Sequence, residues 1–136
     1  MDYENGNYNV PNSGPVWPQL EADFQFAAGN LNETQQDLGR ANSWAAKAFL
    51  AKVYMFEHKY NEAKTLLTDI INNGVTAGGE KYALVNFADN FNPSRNNGAE
   101  SVFAVQMTVH DKSNGNNSND GDILNFPYGG ETTCCG

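Results

Sequence analysis

The sequence predicts a mainly α fold: a helical hairpin, a third helix packed on it, one short extended segment and long loops. Three observations carry that prediction. Residues 42–74 read as two helices meeting at a short turn. Residues 17–30 carry one apolar stripe at helical spacing. The apolar residues crowd between Trp17 and Val109, while both ends are rich in Asn and Gly.

The first hairpin helix, expected over 43–57, is apolar around most of its circumference: Trp44, Ala45, Ala48, Phe49, Leu50, Ala51, Val53, Tyr54, Met55 and Phe56. Such a helix needs neighbours on several sides. The second, expected over 61–73, is one-faced. Ala63, Leu66, Leu67, Ile70 and Ile71 point inward, while Glu62, Lys64, Thr65, Thr68, Asp69 and Asn72 point to water. Leu50, Ala51 and Tyr54, then Tyr60, Ala63, Leu67 and Ile70, fall at the spacing of one tetratricopeptide-type repeat. In that pattern Ala51 and Ala63 permit close backbone approach, and Tyr54 and Tyr60 fill the wedge between the helices.

Ahead of the hairpin, Leu20, Phe24, Ala27, Ala28 and Leu31 line one face of the helix over 17–30. Pro18 suits its first turn, and Glu21 and Asp23 lie toward its positive end. Residues 32–40 form a polar connector broken at Gly39, and Asn42 or Ser43 supplies an N-cap to the next helix. Beyond it, Asn73 and Gly74 stop the hairpin with an expected left-handed cap.

A short apolar run, Tyr82, Ala83, Leu84 and Val85, follows; Phe87 and Phe91 then bracket a polar turn stopped by Pro93. Residues 101–109 are β-branched and aromatic and predict the extended segment, with no evident partner strand. The organisation expected is thus a loop over 1–15, a helical scaffold with one short strand over 16–109, and an Asn- and Gly-rich loop region over 110–136. So few layers are short of the three or more stacked units that a repeat protein needs, so the chain is expected to be part of something longer.

Composition narrows the function. The 136 residues carry a net charge of -8, and twenty are Asn, roughly three times ordinary usage. The acidic balance argues against a nucleic-acid partner, which requires a basic stripe. The start has neither a basic region nor an apolar run, so no signal peptide is read there. Cys134 and Cys135 are adjacent, a spacing that strains any bridge between them.

Several stretches together resemble the SusD/RagB family. They are residues 17–24 (WPQLEADF), Gly39-Arg40-Ala41, residues 45–54 (AAKAFLAKVY) and Tyr60-Asn61-Glu62-Ala63. Further on come Asn90-Phe91-Asn92-Pro93, residues 97–106 (NGAESVFAVQ) and residues 125–130 (NFPYGG). The likeness covers most of 16–136 and looks like that family's middle section. It implies a tetratricopeptide-like scaffold with ligand-binding loops. It also implies a surface lipoprotein of the outer membrane that binds an oligosaccharide or other nutrient and lids a TonB-dependent transporter. Membrane attachment would then run through a lipid anchor, and the family has no catalytic motif to carry over. The upstream lipid-attachment cysteine and the long C-terminal half are absent from the sequence.

Glycan recognition needs flat aromatic faces, with amides and carboxylates at the rim. The island Asp122, Asn125, Phe126 and Tyr128, on an Asn- and Gly-rich loop, has those ingredients and is the candidate ligand site. A simpler task fits the same residues: Ile123, Leu124 and Phe126 pin the loop to the scaffold, leaving Tyr128 the ring most open to display. Trp17 reads as a staple on its own first turn, and Trp44 as core.

No catalytic, metal or cofactor site is expected. His58 reads as a helix cap or solvated residue, and neither it nor His110 has a nucleophile or paired carboxylate at motif spacing. Residues 114–122 lack the late Glu of a calcium loop. The leading expectation is therefore a non-enzymatic binding module, and the alternative is a generic tetratricopeptide-like scaffold for protein partners.

Overall fold

The computed structural model describes residues 14–106 of the chain. The chain divides into two compact units, Met1–Ala104 and Val105–Gly136. All the elements below belong to the first. They are α1 (Trp17–Asn30), α2 (Ser43–Phe56) and α3 (Tyr60–Asn73), then two 3-10 turns, Phe87–Phe91 and Pro93–Arg95. The expected helices are present with ends within a residue of their predicted limits. A helical hairpin of the tetratricopeptide-like kind, flanked by a packing helix, is the architecture.

Helix α2 is the centre: α1 and α3 each pack on it and not on each other. Trp44, Ala45, Ala46, Leu50, Ala51 and Val53 are buried there. A fully buried Leu or Val side chain contributes about 2 kcal/mol, so this helix holds most of the hydrophobic gain. Ala51 and Ala63 are 1% and 0% exposed, as close approach of the hairpin backbones requires. The α1 stripe meets α2 through stacked rings, Phe24 on Phe49 at 5.6 Å and Trp17 on Phe56 at 5.8 Å. Trp17 thus packs across to α2 instead of stapling its own first turn.

The single-faced reading of α3 is too broad. Ala63 and Ile70 are buried, whereas Leu67 and Ile71 are 41% and 70% exposed. The contact stripe is narrow because alanines set the separation, and the flanking positions swing past the edge of α2. Tyr60, 55% exposed, likewise does not fill the wedge; its hydroxyl meets His58 Nδ1 at 2.7 Å.

The turn between α2 and α3 is built on His58, at φ 62°. Its N–H donates to Met55 O at 3.2 Å, and that of Lys59 to Tyr54 O at 2.8 Å. This pair of bonds is the Schellman closure, with His58 in the left-handed position usually given to Gly. The cap expected at Gly74 differs. That residue is extended, at φ -65° and ψ 146°. It is glycine for want of space, since a Cβ would lie 2.5 Å from Ile70 O and 2.7 Å from Tyr82 Cδ2.

Asn42 ties the scaffold together. Its Oδ1 accepts from Ala45 N at 2.8 Å, the predicted N-cap. Its Nδ2 donates to Glu33 O at 2.8 Å and Val75 O at 2.9 Å. The connector before α2 and the turn after α3 are thereby fastened to one another. Gln35 N adds a bond to Ala77 O at 2.8 Å, and an isolated antiparallel bridge, Val75 with Lys81, closes that turn. Among the described residues no strand forms, 101–106 included. Residues 107–109 of the expected extended segment lie outside them.

Tyr82 packs against Gly74 with its hydroxyl buried and, among the described residues, without a hydrogen-bond partner. Burial raises its pKa above the usual 10.0, while the neighbouring Asn42 amide acts in the opposite sense. Both amide hydrogens of Asn42 are already committed. Tyr82→Phe is therefore expected to leave stability within about 0.5 kcal/mol of the wild type or slightly above it, because no hydrogen bond is lost. A urea titration showing a loss beyond about 1 kcal/mol would mean that the hydroxyl has a partner.

Candidate functional site

The predicted ligand residues Asp122, Asn125, Phe126 and Tyr128 lie outside the described residues, as do Cys134 and Cys135. Within them, a polar cleft of about 340 Å³ lies in the loop after the hairpin. Glu80, Val85, Asp89, Asn90, Arg95 and Asn97 line it.

Local chemistry shapes this cleft. Asn86 caps the first 3-10 turn through Ala88 N at 3.1 Å, and Asn92 caps the second through Ser94 N at 3.0 Å. The side-chain amide of an Asn placed two residues ahead of the bonded N–H is a standard turn former. Glu100 Oε2 accepts from Val85 N at 3.2 Å and Asn90 Nδ2 at 2.9 Å, closing the loop on itself. Those bonds favour the ionised carboxylate, with Asn90 the larger cause, and hold Glu100 below its ordinary range. Arg95 Nη1 pairs with Asp89 Oδ2 at 2.9 Å. Asn97 sits at φ 59°, a conformation Asn tolerates better than most residues.

On the first 3-10 turn, Phe87 and Phe91 are 77% and 71% exposed, with ring centroids 5.0 Å apart and planes tilted by 56°. Sequence reading saw the two rings but missed the cleft. The signal was present: two Asn turn formers six residues apart, each opening a short helical turn, with aromatics at i and i+4 between them. A separate apolar groove of about 250 Å³ runs along Ile70, Ile71, Tyr82, Leu84 and Val102.

A second polar cluster joins α1 to the hairpin turn. Lys59 Nζ contacts Glu21 of α1 and, at 3.3 Å, Glu57 at the end of α2. Glu21 is thus an interhelix partner, and it lies beyond the first turn of α1, where a helix-terminus role was expected. The hydrogen bond between the two carboxyls, followed by that from Lys59, lowers the pKa of Glu21. The same carboxyl–carboxyl bond raises that of Glu57. Of the two, Glu57 is the more readily protonated. The cluster fastens α1 to the hairpin turn.

Lys47 fastens the other end, with Nζ 2.7 Å from Asp69 Oδ2 on α3 and 3.9 Å over the Trp44 ring. The Lys47 bond, then that from Asn73, lowers the Asp69 pKa from 3.8. A depressed carboxylate stabilises the fold above its unfolded pKa and loses that contribution as pH falls through its folded value. Asp69→Asn is therefore expected to reduce the loss of melting temperature between neutral pH and about pH 3. A variant with unchanged acid sensitivity would show the pair to be fully screened by solvent.

Among the described residues no helix is long and apolar enough to cross a membrane. Nor does any group of three or more His, Cys, Asp or Glu there stand close enough to hold a metal ion.

Comparison with known proteins adds one likeness. A SusD-like protein of Bacteroides ovatus is 37% identical to this chain over 90 residues. The chain is similar to part of that protein. The match takes in 62% of this chain but 16% of the relative, so the chain spans about a sixth of that protein's length. No protein-family profile matches it, and no solved structure does. The SusD-like likeness and the helical hairpin agree with the resemblance read from the sequence.

Proposed function

We propose that the chain is part of a cell-surface protein that binds glycans or related nutrients and works with a TonB-dependent transporter of the outer membrane. The reading makes it a binding protein and not an enzyme. The likeness to the SusD-like relative carries this reading. A rigid helical scaffold bearing polar, aromatic-edged loops is in keeping with it, since binding residues concentrate on loops held by a scaffold. Calorimetry of the full-length protein against an oligosaccharide panel tests the proposal. Saturable binding with no turnover of the sugar is expected. Release of products would instead point to an enzyme.

Asp122, Asn125, Phe126 and Tyr128 are proposed as contacts to the ligand, on the strength of their composition. Tyr128→Ala should then weaken glycan binding about tenfold with no change in melting temperature. A large drop in melting temperature at unchanged affinity would assign the ring to packing.

The apolar groove at Ile71, Leu84 and Val102 favours a second reading, a tetratricopeptide-like scaffold that docks a protein surface. Absence of any glycan binding, together with stoichiometric copurification of a single protein, would move the conclusion there.

A further inference from the structure

We infer that Asn97 is a site of spontaneous covalent modification, at which the folded protein converts the side-chain amide to aspartate or isoaspartate. Asn73, in a matching sequence setting, is kept from this chemistry by the fold. The inference is independent of any ligand. Residues 72–74 and 96–98 are both Asn-Asn-Gly. In each, the glycine amide nitrogen can attack the Cγ of the Asn before it, since no Cβ on the glycine stands in the way. The new C–N bond closes a cyclic imide. The side-chain nitrogen leaves as ammonia, taking up the proton that the backbone amide gives up. Water then opens the imide. Cleavage of the C–N bond at Cγ yields aspartate, and cleavage at the main-chain carbonyl yields isoaspartate, with an added methylene in the backbone. Nothing is oxidised or reduced.

The fold separates these two sites. Asn73 ends α3, and the residue after it is held on both sides: Gly74 N donates to Ile70 O at 2.8 Å, and Gly74 O accepts from Tyr82 N at 3.1 Å. Gly74 is buried with the Tyr82 ring against it, and Asn73 Nδ2 donates to Asp69 Oδ1 at 2.9 Å. Attack there requires the helix end to open first. Gly98 is placed otherwise. Its N–H makes no hydrogen bond among the described residues. Asn97 and Gly98 wall the cleft of about 340 Å³, roomy enough for the water that opens the imide. Asn97 also holds φ 59°, a less stable conformation for a residue with a side chain, so leaving it for the attacking geometry costs little. Loop segments with few backbone bonds open at the lowest free energies. The product adds a carboxylate to a wall that already carries Glu80 and Asp89. In the isoaspartate form the longer backbone also presses on buried Ala99, whose carbonyl accepts from Ala83 N at 3.2 Å.

Peptide mapping by mass spectrometry of the full-length protein, held warm in mildly alkaline buffer, tests the inference. Conversion at Asn97 should outpace that at Asn73 by about tenfold or more, because Gly74 must first give up its bond to Ile70. In urea, where both tripeptides are unfolded, the two rates should converge. Gly98→Ala should slow conversion at Asn97, by placing a methyl beside the attacking nitrogen, and leave Asn73 as it was. Equal rates in the folded protein, or faster loss of the Asn73 amide, would overturn the inference. So would an Asn97 amide that survives in the folded protein while the urea-unfolded chain converts. Unchanged conversion in Gly98→Ala would rule out attack by that nitrogen. A gap between the sites that persists in urea would show that flanking residues set it, and would overturn the protection assigned to the fold.

Discussion

Asn42→Ala is expected to lower the unfolding free energy by about 3 kcal/mol or more, the largest effect of any single polar substitution in the scaffold. The side chain is 1% exposed and uses all three of its accessible hydrogen-bonding directions. Truncation removes the α2 cap, worth about 1 kcal/mol, and strands the Glu33 and Val75 carbonyls, each costing about 1 kcal/mol or more when left unpaired in the interior. Asn42→Ser retains a capping oxygen but neither donor, so it should recover only the cap's share. Asn42→Asp keeps the acceptor, loses both donors and places a charge against two carbonyls, so it should do no better than Ala. Urea titration of the three variants separates these contributions. A loss under about 1 kcal/mol for Asn42→Ala would show that the connector and the 75–81 turn can fasten without it.

Ala63→Leu is expected to cost at least about 2 kcal/mol, because overpacking forces the hairpin backbones apart. Ala63 is fully sealed and Ala51 nearly so. Three added carbons at that point have nowhere to go without moving α3 off α2 and stretching the Lys47–Asp69 pair. Ala63→Gly, by contrast, should lose only about 1 kcal/mol through helix propensity. Ala22→Leu, on the exposed face of α1, should stay within about 0.5 kcal/mol of the wild type. If Ala63→Leu melts with the wild type, the helices are not in the close contact described.

The helices were readable from sequence because their signals are local and periodic. Leu20, Phe24, Ala27 and Ala28 mark the inner face of α1 at fixed spacing, and Asn42 precedes α2 where a cap belongs. The Asn42 amide donors were not readable, since their acceptors lie 9 and 33 residues away and only the closed fold brings them near. Leu67 and Ile71 failed for a related reason. Periodicity places a side chain on a face, but the width of the contact depends on how closely the partner approaches, and here alanines fix that. Gly74 shows the same limit from the other side. A glycine after a helix predicts a left-handed cap, while its true cause, the ring of Tyr82, is eight residues further on. Glu21 lies 38 residues from Lys59, so no spacing rule could have joined it to the hairpin turn. The cleft at Asn90 and Arg95 escaped notice because short 3-10 turns carry too few residues to show a period.

The protein has two tryptophans, and they occupy different joints. Trp44 is sealed at the start of α2 beneath the Lys47 ammonium. Trp17 stacks on Phe56, where α1 meets the far end of α2. Their intrinsic fluorescence therefore reports separately on the hairpin and on the docking of α1. In a Trp44→Phe background, emission follows α1 alone, and in a Trp17→Phe background it follows the hairpin. Coincident transitions for the two would mean that the three helices open as one cooperative unit. An earlier red shift from Trp17 would time the departure of the outer helix while the hairpin is still closed.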